Sequence, residues 1–172
     1  MKRASLVRRT ALSRKPKNAP RRRANPTSHK QRQTPKKRKK KTTLKKLKET
    51  LWELCKQITR KRYANKDGTW TCYTSGVRIT EPKGAHTGHY IPSSICSTEL
   101  RYDLDNLRIQ SYMENIHHSG NTLQFRENLI RDHGIEYVEN LWKRNQATKG
   151  LSYREDWYEE KILHYQTLLQ QL

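Results

Sequence analysis

Four of the seven histidines in this 172-residue chain fall between positions 86 and 118, and asparagines stand among and just beyond them at 106, 115 and 121. Residue types of this kind suit phosphodiester hydrolysis. That reaction needs a water deprotonated near neutral pH, a base held in one tautomer, and a cation to neutralise charge on the scissile phosphate and its leaving oxygen. An imidazole titrates near pH 6.5 and suits the base. Histidine nitrogens and asparagine oxygens, with phosphate and water, suit the cation. Each residue also has a plainer reading. A histidine in a small basic domain is usually exposed or a satisfied core group, and His133 and His164 are read that way. Asn106 after Asp105 fits an ordinary turn, and His117-His118 fits a polar helix face.

The elements that must position these residues are short. His89 lies in an extended run, Asn106 precedes a second one at Leu107-Arg108-Ile109, and Asn115 follows nine residues after Asn106 in a short helix. Upstream, Leu44, Leu47, Leu51, Leu54, Cys55 and Ile58 recur at three- and four-residue steps, which predicts a helix of about five turns with one apolar face. The turn cluster Asn65 to Gly68 ends it, and the β-branched and aromatic run Thr69 to Thr74 predicts a strand. Downstream, helices are expected over 123–132, stopped by Gly134, from Ile135 to about Asn145 with Val138, Leu141 and Trp142 inward, and from Tyr153. Ser152 and Glu155 form a capping box for the last helix, whose buried stripe is Trp157, Ile162, Tyr165 and Leu169. The tryptophans Trp52, Trp70, Trp142 and Trp157 are read as core rather than as base-stacking platforms.

Charge divides the chain in two. Residues 1–41 hold 18 Lys or Arg and no acid, leaving 19 of the 37 basic side chains against 16 acids in residues 42–172. An arm of that composition cannot bury enough apolar surface to offset its ordering entropy, so residues 1–41 are expected to be disordered and 42–172 to form one domain. Its counterpart is a polyanion, and DNA is favoured because Lys and Arg at phosphates release condensed counterions. A membrane surface is disfavoured because the arm has almost no apolar residues to insert. Lys36, Lys37, Arg38, Lys39, Lys40 and Lys41 are the densest part, within PKKRKKK, which also fits a nuclear-import address should the host be eukaryotic. No run is apolar enough to cross a membrane and no signal-peptide core is present, so an intracellular protein is expected. Cys55, Cys72 and Cys96 are too few for a disulfide scaffold or a four-cysteine zinc site, and Cys55 sits on the apolar stripe as a small buried hydrophobe.

The order of His89, Asn106 and Asn115 resembles the HNH, or ββα-metal, nucleases, and more closely the phage NinG/Rap recombination family. The matching residues are Gly88-His89-Tyr90, Leu100-Arg101-Tyr102 leading to Asn106, then Asn115, His117 and Ser119-Gly120-Asn121, followed by Leu129, Gly134 and Val138. The resemblance implies an α+β fold in which a small hairpin-helix core, within 69–121, is flanked by the N-terminal amphipathic helix and a C-terminal helical part, 122–172. It implies a structure-selective endonuclease acting on Holliday junctions and D-loops with one Mg²⁺ or Mn²⁺, and a homodimer by analogy with symmetric junction resolution. His89 would be the general base, and Asn106 would hold its ring through the backbone or an imidazole nitrogen. Asn115 would be the metal ligand on the helix. The acid that usually precedes the base is Gly88 here, and His86 is the candidate replacement. His117 is a further candidate ligand, and Arg101, Arg108 and His118 are candidate DNA contacts. The four zinc-binding cysteines of the family pattern correspond to Cys72, Ser75, Ser111 and Glu114, so no structural zinc is expected. The rival reading is a non-catalytic DNA- or RNA-binding protein that kept the fold. A ribosomal-protein-like RNA binder fits the charge but leaves the 86–121 cluster unexplained.

Deleting residues 1–41 is expected to weaken duplex binding and to reduce the slope of log affinity against log salt by about 0.9 for each phosphate that the arm no longer neutralises. Fluorescence anisotropy at several salt concentrations checks this, and unchanged affinity throughout would assign the arm to another partner.

Overall fold

The computed structural model describes residues 37–172, with side chains from position 43 onward. The arm expected over 1–41 therefore lies outside the described residues as far as position 36, and so do the side chains of Lys36 to Lys41. The first helix, α1, spans Lys37–Arg62 and begins five residues ahead of the boundary drawn from charge. Its apolar stripe behaves as the spacing predicts. Leu51, Leu54, Cys55 and Ile58 are buried, Leu44 and Leu47 pack at the margin, and the stripe meets Tyr158, Ile162 and Tyr165 of α5, Glu155–Gln171. Arg60, Lys61 and Arg62 close α1, where cations favour the exposed carbonyl end.

The strand expected over 69–74 is shorter than its composition suggests. β1 is only Trp70–Thr71, paired with β2, Arg78–Ile79. The chain turns sharply after it, with Gly76 donating to the Cys72 carbonyl at 2.9 Å and Cys72 to the Val77 carbonyl at 2.8 Å. Gly76 takes a positive φ of 71° that a β-branched residue would resist. Tyr73 then donates its backbone N–H to Ile109 at 2.8 Å, which lays this turn against the central hairpin.

That hairpin is β3, Ala85–His89, antiparallel to β4, Leu107–Ser111. The connection between them carries a short helix, α2, Thr98–Arg101, whose Ser97 cap accepts from the Leu100 N–H. Leu107, Ala85 and Ile109 share one face, where Leu107 joins the α1 and α5 core and the other two pack with Cys72 and Ile79, and on the opposite face Arg108 and Gln110 are buried. After β4 come a π-helical turn, Met113–His117, then α3, Thr122–His133, and α4, Ile135–Thr148. Gly134, at φ 87°, ends one helix and starts the next, as its position predicts. Phe125, Leu129, Val138 and Leu141 pack on Tyr90, Ile91 and Leu100, while Trp142, expected inward, is part-exposed with its indole N–H on the Tyr90 hydroxyl.

The last helix departs from expectation at its start. α5 begins at Glu155 with Arg154 as its cap and no side-chain capping bond, so the Ser152 and Glu155 capping box does not form. Tyr153 instead stacks on Trp157 at 4.3 Å and donates its hydroxyl to Glu99, holding the chain extended through Arg154. The buried stripe is Tyr158, Ile162 and Tyr165, with Trp157 and Leu169 at its margin. Among the described residues no helix is long and apolar enough to cross a membrane.

Because Leu51 is wholly buried where α1 meets α5, Leu51→Ala is expected to cost about 2–5 kcal/mol. Urea unfolding followed by circular dichroism measures it, and a loss below about 1 kcal/mol would mean that the two helices do not form the main core.

Candidate metal and general-base site

Strand register decides which candidate residues meet. In β3 the pleat sends Ala85, Thr87 and His89 to one face and His86 and Gly88 to the other. On the second face His86 is paired directly with Gln110, and Gly88 with Arg108. The π-helical turn then brings Asn115 to His86, amide Nδ2 to ring Nδ1, at 3.3 Å. In this arrangement the amide donates to the His86 Nδ1 lone pair. Turning the amide over would set the Asn115 oxygen beside that lone pair, giving a cation one nitrogen and one oxygen donor. The donor set is neutral, and among the described residues no group of three or more His, Cys, Asp and Glu side chains is placed to hold a metal. Mg²⁺ and Mn²⁺ ordinarily take a carboxylate together with waters and phosphate oxygens, and His86 and Asn115 would offer them one nitrogen and one oxygen.

His117 is joined to His86 through a ring rather than directly. Tyr112 meets His86 edge-on at 5.3 Å and His117 at 5.2 Å. His118 Nδ1 lies 2.9 Å from a Glu114 carboxylate oxygen, which ties it to the turn and leaves its ring part-exposed.

His89 is held differently. Its Nε2 lies 3.0 Å from the Arg101 carbonyl, and its ring stacks on Trp52 of α1 at 5.1 Å between centroids, 13° from parallel. A carbonyl only accepts, so Nε2 carries the proton and Nδ1 is left as the basic nitrogen. Burial disfavours the imidazolium and lowers the pKa below its ordinary 6.5, with the Arg101 carbonyl opposing and the Arg101 charge adding to the effect. Trp52 and Arg101 also line an open groove whose wall carries the cations Lys48 and Arg101 and the acid Glu49. Trp52 and the Arg101 carbonyl were not legible as partners of His89. His86 and His89 stand three residues apart on opposite faces, roughly 10 Å along the strand, and only a bound cation, water and phosphate would link them.

Asn106 is wholly buried and does not touch the His89 ring. Its oxygen accepts from the Ile91 N–H at 2.8 Å, and its amide donates to the Ile91 and Leu100 carbonyls at 3.2 and 3.1 Å. Neither route expected for it is present, since its bonds run to the backbone of Ile91 and Leu100 and none reaches the imidazole. Asn106 fixes the segment that follows His89 and the helix that supplies the Arg101 carbonyl.

Arg108 requires a correction. Expected at a phosphate, it is 3% exposed. Its guanidinium donates to the Leu104, Asp105 and Leu107 carbonyls, meets His133 and Tyr137, and lies over the Tyr63 and Tyr73 rings. Arg108 is a structural residue, and His133 is its satisfied partner.

The four positions that the resemblance assigns to zinc-binding cysteines do come together, through hydrogen bonds. Cys72 Sγ accepts the Ser111 N–H at 3.2 Å and lies 3.5 Å from the Thr74 hydroxyl. Burial pushes its thiol up, but the hydrogen bonds from Ser75, Thr74 and Ser111 outweigh this and bring it down to about 7. The Ser111 hydroxyl accepts from the Glu114 N–H, and the buried Glu114 carboxylate takes Thr74, Asn121 and His118. Burial raises the Glu114 pKa, and those three partners more than reverse it, leaving it below the usual carboxylate range.

Purified protein is expected to hold no stoichiometric zinc, whereas the Ser75→Cys, Ser111→Cys, Glu114→Cys triple variant should bind one zinc per chain with Cys72. Elemental analysis after exhaustive dialysis checks both. Zinc retained by the unaltered protein would contradict the reading of this corner.

No curated protein and no solved structure matches the chain. The family model described as bacteriophage lambda NinG protein matches residues 1–172. The chain belongs to the NinG family of bacteriophage lambda.

Proposed function

We propose that this protein is a divalent-cation-dependent endonuclease that cuts branched DNA during phage recombination. The observation that carries the reading is the state of His89. Its Nε2–H is anchored on the Arg101 carbonyl and its ring is clamped by Trp52, which leaves a neutral Nδ1 as a base on the strand that also carries His86.

In this reading the phosphate lies beside the end of β3 and reaches from the cation on the His86 face round to His89. A Mg²⁺ or Mn²⁺ ion held by His86 and Asn115 would neutralise charge on the phosphate and on the leaving oxygen. His89 Nδ1 takes a proton from water as the water oxygen bonds to phosphorus. The phosphorus bond to the leaving oxygen breaks, and that oxygen takes a proton from solvent. Asn106 keeps the backbone around His89 from shifting as charge develops on the ring. Lys48 and Arg101 seat the neighbouring phosphates, and the basic arm adds affinity that does not read sequence. Gly88, where an acid is expected, favours the rival reading of a DNA binder without cleavage, and the test below separates the two.

His89→Ala is expected to lower Mg²⁺-dependent cleavage of a four-way junction by about 10²–10⁴-fold while leaving junction binding intact. A wild-type protein that binds but never cuts, with Mg²⁺ or Mn²⁺, on linear duplex, flap, D-loop or junction, would leave only the binder.

The pH profile gives an independent check. Because the His89 pKa is lowered, the ring stays neutral and active below its ordinary value, so the acid limb of kcat/KM should fall below pH 6.5. Trp52→Ala opens the ring to water and should move that limb upward toward 6.5. An acid limb unmoved by this substitution would mean that another group is the base.

A further inference from the structure

We infer that Gln110 Oε1 is a third donor to the cation at His86 and Asn115, taking the place of the acidic side chain that position 88 lacks. The inference rests on the cation site proposed above and specifies its inner ligand.

Gln110 is wholly buried. Its amide orientation is fixed, because Nε2 donates to the Gly120 carbonyl at 2.7 Å, an atom that only accepts, and to the Thr74 hydroxyl at 3.1 Å. The other end of the same amide, Oε1, has no hydrogen-bond partner. Among the described residues only Thr87 Oγ1, on the opposite face of β3, shares that condition. A buried acceptor left unpaired is uncommon and calls for an ion or a water.

The side chain also starts beside His86, and its oxygen lies over Gly88. His86 and Gln110 are direct cross-strand partners, which sets their Cβ atoms about 4.5–5.5 Å apart on one face. A Cβ built on Gly88 would fall 1.9 Å from Gln110 Oε1 and 2.7 Å from its Cδ. An acid at 88 and Gln110 in this rotamer therefore exclude each other, and the amide oxygen occupies the space that the acid would fill. On the other side a Cβ on Gly120 would stand 3.9 Å from both Gln110 Oε1 and the His89 carbonyl, so a glycine leaves room beside the oxygen. A neutral amide oxygen is a hard donor of the kind that Mg²⁺ and Mn²⁺ accept. With Gln110 on the inner side, the half-buried His86 and Asn115 leave the outer side open to water and phosphate.

Binding of Mn²⁺ alone to the full chain, followed by electron paramagnetic resonance, tests this with wild type, His86→Ala and Gln110→Ala. Wild type should bind one ion, and both variants should bind at least about tenfold more weakly. A second measurement uses wild type grown with glutamine labelled with ¹³C at Cδ. Electron-nuclear double resonance should show a ¹³C coupling to the bound Mn²⁺, since no other glutamine lies on β3, β4 or the π-helical turn. If Mn²⁺ binds and His86→Ala abolishes it while Gln110→Ala keeps wild-type affinity, or if the ¹³C coupling is missing, Gln110 is not a ligand and its oxygen takes a water. If wild type binds no Mn²⁺, or His86→Ala binds it equally well, the cation site itself is wrong. Should Gln110→Ala fail to fold, the labelled wild type decides alone.

Discussion

Asn106 has no exposed surface, and both polar atoms of its side chain are bonded to backbone. Its own carbonyl also accepts the Tyr90 N–H at 2.9 Å. One residue thus closes the end of the hairpin, grips the segment that leaves β3 and holds the end of α2. The Arg101 carbonyl that fixes His89 is the next residue after one of its contacts. Removing one member of such a buried set strands the others at about 1–3 kcal/mol each. The orientation of the His89 ring is therefore a property of the folded core rather than of a local loop.

The corner at Cys72 shows how the same hairpin can be braced without four thiolates. Serine and glutamate keep the positions close through hydrogen bonds that contribute about 1 kcal/mol apiece. Structural zinc contributes far more, about 10–16 kcal/mol in zinc-finger peptides. Bonds of that kind do not make up the difference, and apolar burial does. α1 and α5 enclose Leu107 from β4 together with Tyr102, so the long helices at the two ends of the described chain brace the small central strands.

Sequence periodicity located the four long helices because each shows one apolar face to a core. It overran β1, since Cys72 turns the chain through contacts with Val77 and Ile109 that no local pattern reveals. The resemblance also misplaced Arg108 as a DNA contact. A strand covered on both faces buries its polar positions, and the ring of tyrosines around Arg108 comes from three distant segments. The spacing of His89, Asn106 and Asn115 was readable because the resemblance carries it. Trp52 on His89, and Gln110 over Gly88, were not readable, because each depends on register and on helix placement. The apolar stripe of α1 marks it as a core element, yet one of its side chains is also a wall of the candidate site.

That wall has a geometric consequence. Lys37, the first residue of α1, precedes Trp52 by fifteen residues, which is about 22 Å of continuous helix. α1 is one unbroken helix between these two positions, so a group held at its first residue would be offset from His89 by a fixed span. On B-form DNA, with roughly 3.4 Å per step along one strand, that span is about six or seven base pairs. Protection of the proposed substrate would then be lopsided, extending farther on one flank of the scissile bond than on the other, and the orientation of the helix would select which flank.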